Sequence, residues 1–421
     1  MNASTQDIVK SQFSVNGRSY HPPAVPIAVI CIDGCADEYL SVSLAKHAMP
    51  NLAKMLETGH RSLVRGALPS FTNVNNSAVV TGCPPSETGI GGNYIIDPES
   101  GQEVMTNSSK FLRLETILAS AADAGRKVAM VTAKDKLREL LSKNMTGIAF
   151  SSEKADELSF EVNGINDIIS LVGPKPDIYS AEASLYVLKS GVSLVESGLA
   201  DFCYLTLTDY MQHKYAPEHP ESLKFYEGID HEIGRLLGLG CVVAATADHG
   251  MNAKCDAHGN PNVVYLETEL QKEFGEEITV ICPITDPYVV HHGALGSAVT
   301  VYLPNKVQST QVAEWILNLD GVAEVHQRKT AVSKLELPPD RIGDLFVLST
   351  RDFVIGRTPD HHDLSQLEGQ LRSHGGRYEE MVPMLLSHPL NENYYRKSQG
   401  DPRNFDIFDF VCNGVVVANQ L

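Results

Sequence analysis

The sequence predicts an α/β protein built on a mostly parallel central sheet. Apolar runs of strand character recur along the chain, at residues 27–32, 127–132, 201–207 and 241–247. Helical patterns lie between them, among others at residues 49–59, 116–125 and 181–196. This alternation is typical of parallel strands joined by helices. Because the carboxyl ends of parallel strands meet at one edge of a sheet, polar residues that follow these strands are expected to converge there.

The composition argues against several classes of protein. The 421 residues suffice for one large α/β domain that carries an insertion, or for two domains. The formal net charge of -18 argues against a general nucleic-acid binder, which needs clustered Lys and Arg. No segment approaches the length of a membrane span, and the N-terminus lacks an apolar signal region. The eight cysteines lack the paired C-x-x-C spacing of a structural zinc site, and several lie in apolar runs of strand character, as is typical of reduced cysteines packed in a core. We therefore expect a cytoplasmic protein that binds neither nucleic acid nor membrane.

Residues 266–359 differ in pattern from the rest of the chain. Strand-like runs at residues 277–281, 298–303 and 344–348 surround a helical pattern at residues 310–319. We predict that this segment forms an inserted α+β cap, and that residues 1–265 and 360–421 form the metal-binding α/β core. The last apolar segment, residues 405–412, is expected to pack as an amphipathic terminal helix.

Acidic residues and histidines follow three of the predicted strands. Asp33 follows the first strand, and Asp248 and His249 follow the last. Asp209 follows another, and His213 comes four residues later. That spacing places both side chains on one face of a helical turn, a common way of presenting two ligands to one ion. Taken singly, each aspartate could instead cap a helix, and each histidine could be a buried residue with its hydrogen bonds satisfied.

Hydroxyl and amide groups occur in two candidate loops. Thr72 is expected at the N-cap of a short helix, where free N–H groups would also stabilise an alkoxide or a phosphoryl oxygen. A cap and a nucleophile are therefore compatible interpretations of this residue. The stretch Gly89-Ile-Gly-Gly-Asn93 would let the backbone approach a ligand closely, with the Asn93 amide as an oxyanion donor. Turn chemistry alone also explains this loop.

Basic residues complete the set of candidates. Lys134 and Lys136 follow a predicted strand, where they could hold an anion or could be solvated lysines that open the next helix. His291 and His292 lie in the predicted cap, either as turn histidines or as phosphate donors. His374 stands between a serine and two glycines.

The candidates are more informative as a set than singly. Three histidines and three aspartates at strand ends or in loops suit zinc or a similar transition metal better than calcium or magnesium. Two such ions close together form the usual clamp for in-line phosphoryl displacement. The sequence therefore predicts a metal-dependent site for phosphoryl chemistry.

The order of these motifs resembles the alkaline phosphatase superfamily of metallohydrolases. The matching pieces are Cys-Ile-Asp33-Gly, Pro-Asn-Leu-Ala-Lys-Met, Ser-Phe-Thr72-Asn, Thr208-Asp209-x-x-x-His213, Ala-Asp248-His249-Gly-Met and Ser-His374-Gly. The resemblance implies a three-layer sandwich and two zinc ions per chain. It also implies the ligand sets, namely Asp33, Thr72, Asp248 and His249 for one ion, and Asp209, His213 and His374 for the other. Thr72 would be the nucleophile.

Within the superfamily, the threonine nucleophile and the loop at Asn93 resemble the nucleotide pyrophosphatase/phosphodiesterase branch, and more closely the phosphonoacetate hydrolases. This implies hydrolysis of the C–P bond of a small anionic phosphonate through a phosphothreonine. Lys134 and Lys136 would bind the substrate carboxylate, while Asn93 and His292 would contact phosphonate oxygens.

Two alternative functions stay open at this point. A homodimer also stays open. A phosphodiesterase that acts on nucleotides or nitrophenyl esters would need an aromatic slot near the cap. A zinc-binding relative without catalytic activity would lack the nucleophile, whereas Thr72 is present.

Overall fold

The central sheet has seven strands in the part of the chain that the structure, a computed structural model, describes, namely residues 12–286, 292–365, 367 and 369–417. In spatial order the strands are His60–Arg65, Met381–Leu386, Val242–Thr246, Ile27–Cys31, Phe202–Thr206, Val128–Thr132 and Ile148–Ser151. The last five pair in parallel. Met381–Leu386 is antiparallel to both of its neighbours. The predicted α/β fold with a mostly parallel sheet is confirmed.

The four inner parallel strands were predictable because they are buried along their whole length. Every residue of Ile27–Cys31, Val128–Thr132, Phe202–Thr206 and Val242–Thr246 is buried. A strand covered on both faces by helices has no polar face to expose, so its sequence is a continuous apolar run.

Two groups of helices cover the sheet and complete the three-layer sandwich. The helices of the first group are Asp37–Ala45, Pro50–Leu56, Ala181–Glu196 and Pro220–Gly238. Those of the second group are Thr72–Thr81, Ile117–Asp123, Asp135–Leu141 and Ile407–Asp409. Helix Ala181–Glu196 shows why they form, since it buries Ala183, Val187 and Leu188 at the spacing of an amphipathic face.

A second sheet lies wholly within residues 266–359. Its strands are, in spatial order, Thr279–Ile281, Ala298–Tyr302, Leu345–Ser349 and Val322–Gln327, and all their pairings are antiparallel. Helices Leu266–Phe274, Ser309–Leu317 and Arg328–Leu335 accompany it. Residues of these strands, such as Val280 and Val299, belong to the same buried apolar cluster as the central sheet. The division of the chain into a core and a cap therefore stays a prediction.

The remaining elements are short. Two-stranded ladders join Phe13–Val15 with Arg18–Tyr20, Tyr94–Ile96 with Glu103–Met105, Asn252–Ala253 with Arg372–Ser373, and Val263–Tyr265 with Val354–Gly356. Short helices occupy Pro85–Thr88, Phe160–Asn163, Ile169–Val172, Tyr210–Lys214 and Glu392–Ser398. Single 3₁₀ turns lie at Ser109–Phe111, Ser152–Lys154, Pro359–His361, Arg377–Glu379 and Asn404–Asp406.

The terminal segment is helical, but it is not amphipathic as predicted. Turns over residues 404–409 lead into a π-helical turn at Phe410–Gly414, and residues 405–412 are all buried. Their acidic side chains are compatible with burial because Asp406 pairs with Arg18 and Asp409 pairs with Lys397. Polar residues in a pattern thus do not always mark an exposed face.

Two further observations concern the described residues as a whole. All eight cysteines are free, and most of them are buried. None of the described helices combines the length and the apolar character that a membrane crossing requires.

Candidate active site

The candidate residues converge at the carboxyl edge of four adjacent strands. These strands are, in spatial order, Val242–Thr246, Ile27–Cys31, Phe202–Thr206 and Val128–Thr132. The residues that follow them are, in the same order, Asp248 with His249, Asp33, Asp209, and Lys134. Parallel pairing thus places side chains from distant parts of the sequence next to one another.

Two groups of potential metal ligands lie within this edge and share one residue. Asp33, Asp248 and His249 form the first group, and Asp209, His249 and His374 form the second. Within each group the ligand atoms all lie within 4.8 Å of one another. His249 thus contacts both groups, whereas the resemblance assigned it to the first alone.

The remaining two predicted ligands adjoin this cluster. Nε2 of His213 lies 2.9 Å from Oδ2 of Asp209. The hydroxyl oxygen of Thr72 lies 3.4 Å from Nε2 of His249. All of the predicted metal ligands are therefore brought together, although their roles stay a prediction.

The three clustered histidines are held in the orientation that metal ligands need. Nδ1 of His213 lies 2.7 Å from the carbonyl oxygen of Arg372, and Nδ1 of His249 lies 2.9 Å from that of Gly250. Nδ1 of His374 lies 2.8 Å from the carbonyl oxygen of Ser70. Since a carbonyl only accepts, each Nδ1 carries the proton, and Nε2 of a neutral ring presents its lone pair to the cluster.

The charges of the cluster also favour a bound cation. Oδ1 of Asp33 is buried and accepts no hydrogen bond in the described part of the chain. Burial raises the pKa of Asp33 to about 7, and the carboxylates of Asp209 and Asp248 add to this effect. Burial lowers the pKa of His249, but Asp248 and Asp33 outweigh it and raise that pKa to about 10. A cluster that attracts positive charge at Nε2, with imidazole and carboxylate donors, fits a transition metal ion.

Asn76 is a buried part of the site that the sequence analysis missed. Its amide nitrogen donates to Oδ2 of Asp248 at 3.3 Å and to the carbonyl oxygen of Thr72 at 3.1 Å. Its amide oxygen accepts from the hydroxyl groups of Tyr204 and Thr206, at 2.7 and 2.9 Å. Asn76 therefore orients a candidate ligand. The signal that could have indicated this role is helix Thr72–Thr81, which begins with several polar residues although most of it is buried.

Thr72 lies one position away from the predicted cap. Phe71 is the N-cap, and Thr72 is the first residue of helix Thr72–Thr81. The hydroxyl group of Thr72 faces His249. The prediction of an N-cap threonine was wrong, because the apolar Phe71 adopts the extended backbone of the cap position. The hydroxyl group is consequently available for chemistry.

The glycines of the loop before Asn93 lie against residues of the predicted cap. A Cβ atom on Gly91 would lie 2.9 Å from Pro338, and one on Gly92 would lie 2.6 Å from Pro283. These glycines therefore leave room for two proline side chains, and the approach of the loop to a ligand stays a prediction. Asn93 itself is partly exposed, and its amide oxygen accepts from the backbone nitrogen of Asn73 at 3.0 Å.

The cluster opens into a cleft that also holds both candidate lysines. The cleft has about 500 Å³ of empty volume, and Asp33, Thr72, Asn93, Lys134, Lys136 and Asp286 are among its lining residues. Nζ of Lys134 lies 3.7 Å from Oδ1 of Asp209, and Nζ of Lys136 lies 2.7 Å from Oδ1 of Asp286. Burial lowers the pKa of Lys134, but Asp209 and Asp33 outweigh it and raise that pKa. Lys134 is thus a cation in the cleft.

His292 is buried beside the cluster in the opposite tautomer. Its ring centre lies 5.1 Å from that of His213. The backbone nitrogen of Ala294 donates to Nδ1 of His292 at 3.1 Å, so a neutral ring carries its proton on Nε2. This arrangement suits a hydrogen-bond donor rather than a metal ligand. His291 lies outside the described residues.

A fully buried ion pair ties together the loops that carry His249 and His374. Nζ of Lys254 lies 2.9 Å from Oε1 of Glu379, and both side chains are 0% exposed. The carbonyl oxygen of Glu379 accepts from the backbone nitrogen of Gly250, and its Oε2 accepts from that of Gly376. Glu379 therefore links the residue after His249 to the second residue after His374, and Lys254 holds the carboxylate of Glu379.

Lys254→Met is expected to weaken metal binding as well as stability. The change leaves Glu379 buried and unpaired, which should lower the free energy of unfolding by about 3–5 kcal/mol. Because Lys254 also holds the Glu379 carboxylate in place between the loops of two candidate ligands, the affinity for zinc should fall about tenfold. Zinc competition against a chromophoric chelator would measure the affinity, and urea denaturation would measure the stability.

Asp201→Asn provides the matched control for this experiment. Asp201 pairs with Arg126 at 2.7 Å, in a largely buried pair located before strands Phe202–Thr206 and Val128–Thr132. This pair lies at the opposite end of the strands from the cluster. The control should lose stability but keep its zinc affinity. An equal loss of affinity in both variants would show that the pair of Lys254 has no specific link to the site.

The fold and this cluster are those of a known family of hydrolases. The chain belongs to the type I phosphodiesterase / nucleotide pyrophosphatase family, whose model matches residues 27–377. The predicted membership of the alkaline phosphatase superfamily is thereby confirmed. Over 97% of its length, it is similar to the whole of phosphonoacetate hydrolase from Sinorhizobium meliloti 1021 in complex with phosphonoacetate, with 42% identity and a TM-score of 0.91.

Two other solved structures place this similarity in context. The complex of the Sinorhizobium meliloti enzyme with phosphonoformate gives 43% identity, a TM-score of 0.91 and the same coverage of both chains. Murine ectonucleotide pyrophosphatase / phosphodiesterase 5 is 16% identical, with a TM-score of 0.63 over 92% of this chain and 94% of that one. The murine enzyme shares the fold. The chain is accordingly a hydrolase of this family.

Proposed function

We propose that the chain hydrolyses the C–P bond of phosphonoacetate to acetate and phosphate through a phosphothreonine, with two zinc ions per chain. The observation that carries this proposal is the lining of one cleft, where Thr72 and Asp33 of the metal-type cluster face the same space as Lys134 and Lys136. A cleft with a nucleophile and two cations fits a small substrate with a phosphonate and a carboxylate. The similarity to an enzyme named for this substrate supports the same choice.

The proposed metal ligands are those that the superfamily resemblance implies. Asp33, Thr72, Asp248 and His249 would hold one ion, and Asp209, His213 and His374 the other. Bound ions would supply positive charge at the phosphonate and would lower the pKa of a coordinated hydroxyl group. The inward-facing Nε2 atoms support this assignment, and so does the buried Oδ1 of Asp33, which lies 3.2 Å from Nε2 of His249.

The protein itself supplies the nucleophile and the donors for the phosphonate. The hydroxyl group of Thr72 loses its proton to solvent, and its oxygen forms a bond to phosphorus as the P–C bond breaks. The amide nitrogen of Asn93 and Nε2–H of His292 donate to phosphonate oxygens, where negative charge develops. Water then loses a proton to solvent as it bonds to phosphorus, and the bond to the Thr72 oxygen breaks. That oxygen regains a proton, and phosphate leaves.

The lysines act on the leaving group. When the P–C bond breaks, its electron pair passes to the methylene carbon of the substrate. This carbanion is stabilised only if its charge spreads into the neighbouring carboxylate. The methylene carbon then takes a proton from water to give acetate. Ammonium groups of Lys134 and Lys136 beside that carboxylate stabilise the transition state more than the bound substrate, because the carboxylate gains charge during the reaction.

A phosphodiesterase that acts on nucleotides is the second candidate. The family model supports it, and so does an outer extension of the cleft that is lined by Ile178 and Tyr179 as well as by both lysines. The Tyr179 side chain could stack on a base, as the aromatic slot of this alternative requires. A panel assay of phosphate release from phosphonoacetate, phosphonopyruvate and a nitrophenyl monoester, and of nitrophenol release from a nitrophenyl diester, would separate the candidates. A cytoplasmic location and a homodimer stay predictions.

Lys134→Ala and Lys136→Ala are each expected to lose about 2–4 kcal/mol of transition-state stabilisation toward phosphonoacetate. Hydrolysis of a nitrophenyl phosphodiester should barely change, because its leaving group has no carboxylate. The measurement is kcat/KM for both substrates on both variants, under one set of conditions.

Lys154→Ala is the matched control for the lysine variants. Lys154 lines the outer extension of the cleft and pairs with Asp135 at 3.4 Å. Its loss removes one positive charge from the same region but none from beside the proposed carboxylate. Both substrates should therefore react at nearly normal rates. If Lys134→Ala and Lys136→Ala slowed both substrates equally, the lysines would serve the phosphoryl group or the fold.

A further inference from the structure

One short turn of the chain contacts two different parts of the cleft wall. The backbone nitrogen of Thr285 donates to the carbonyl oxygen of Cys282 at 3.0 Å, which closes the turn. Cys282 and Ile284 are only 1% and 2% exposed, so the turn is anchored in the core. We refer to residues 282–286 as the cleft turn.

The first end of the cleft turn holds Asn93. The carbonyl oxygen of Pro283 accepts from the backbone nitrogen of Asn93 at 2.8 Å. A Cβ atom on Gly92 would lie 2.6 Å from Cβ of Pro283, so the two segments are in close contact. The position of the Asn93 backbone therefore follows that of the cleft turn.

The second end holds Lys136. Oδ1 of Asp286 lies 2.7 Å from Nζ of Lys136, and the two side chains are 16% and 29% exposed. A partly exposed ion pair contributes little to the stability of a fold. It does, however, restrict a long side chain that would otherwise adopt many rotamers. The carboxylate of Asp286 also disfavours the binding of an anion nearby, so a role in placing Lys136 explains its presence better than a role in affinity.

We propose that the cleft turn sets the length of the ligand, and that Asp286 is a specificity-determining residue. This inference rests on the proposed function, in which Asn93 binds the phosphonate and Lys136 binds the carboxylate. A single anchored turn fixes the separation of these two groups. A ligand that is one methylene longer or shorter leaves one of its charged ends without a well-placed partner, which costs affinity.

The test compares three ligands that differ only in length. Phosphonoformate, phosphonoacetate and phosphonopropionate have no methylene, one and two between their charged groups. Calorimetry would measure their Kd on zinc-loaded protein, with Thr72→Ala in every sample so that no ligand is consumed. With Asp286 present, phosphonoacetate should bind about tenfold more tightly than either neighbour. In Asp286→Asn this preference should fall to about twofold, since Lys136 can then follow ligands of each length.

Two further variants separate placement from structure. Asp286→Glu keeps the carboxylate and should retain a preference for one length. Asp340→Asn is the matched control, because Asp340 also lies in the predicted cap and pairs with a basic residue of the core, Arg113, but does not line the cleft. Asp340→Asn should keep the tenfold preference for phosphonoacetate over the shorter and longer ligands.

The outcomes for the inference and for the proposed function are distinct. An unchanged preference in Asp286→Asn would overturn the inference, and so would equal binding of the three ligands by the protein with Asp286. Failure of the protein with Thr72 to release phosphate from phosphonoacetate would overturn the proposed function instead. Because Kd is measured without turnover, a length preference that depends on Asp286 supports the inference in either case.

Discussion

Thr72→Ala is expected to lower the turnover of phosphonoacetate by about 10³-fold or more while the fold is kept. The physical reason is that the hydroxyl oxygen is the proposed nucleophile. The structural cost is small, because Phe71 rather than Thr72 occupies the N-cap position and the contact of the Thr72 hydroxyl group with His249 is a long one, at 3.4 Å. The measurement is kcat for phosphate release, together with elemental analysis and the urea midpoint of the same variant.

Two additional variants sharpen this experiment. Thr72→Ser keeps a hydroxyl group at the same position and should retain part of the activity. Ser70→Ala alters a hydroxyl group on the same loop that donates to the carbonyl oxygen of Gly376 at 2.8 Å, outside the proposed chemistry. It should keep far more turnover than Thr72→Ala. Trapping of phosphate on Thr72 would support the covalent route directly. A near-normal rate in Thr72→Ala would mean that water attacks the phosphonate without an enzyme-bound intermediate.

The fold and the position of the site were predictable because both depend on local patterns. Three of the inner strands are largely apolar runs that are followed two or three residues later by an aspartate, and parallel pairing then brings the strand ends together. Asp33, Asp209 and Asp248 could therefore be assigned to one edge of the sheet without knowledge of any contact.

The supporting residues could not be predicted, because their partners are far away in the sequence. Lys254 and Glu379 are 125 positions apart, and Asn76 and Asp248 are 172 apart. Neither pair has a periodic pattern that would indicate a contact. The role of Gly92 was missed for the same reason, since its small size matters only because Pro283 packs against it.

The protonation of the histidines also depends on contacts that only the fold creates. His213, His249 and His374 each have Nδ1 next to a backbone carbonyl oxygen, whereas His292 has Nδ1 next to a backbone N–H group. This difference separates ligand-type histidines from a donor-type histidine. The sequence contains the same residue type in all four positions, so its pattern offered no basis for the distinction.

Removal of bound metal is expected to abolish hydrolysis, and zinc is expected to restore it better than magnesium. The cluster offers three imidazole nitrogens beside its carboxylates, and such donors favour zinc over magnesium, which prefers oxygen ligands. The measurement is phosphate release after exhaustive chelation, and again after each ion is added back. Full activity in protein that elemental analysis shows to be free of metal would exclude the two-ion site, and equal recovery with magnesium would exclude the preference for zinc.

Single variants test which residues hold the metal. Asp209→Ala and His249→Ala should each lose metal together with rate, with a fall in zinc affinity of at least about 100-fold, because each removes a donor from the buried cluster. His60→Ala is the control, because His60 lies on edge strand His60–Arg65, outside the cluster. This variant should keep both its metal and its rate. His249 contacts both ligand groups, so its variant should lose more metal than the Asp209 variant. Unchanged metal content in either variant would remove that residue from the site, and a larger loss in Asp209→Ala would place His249 against one ion alone.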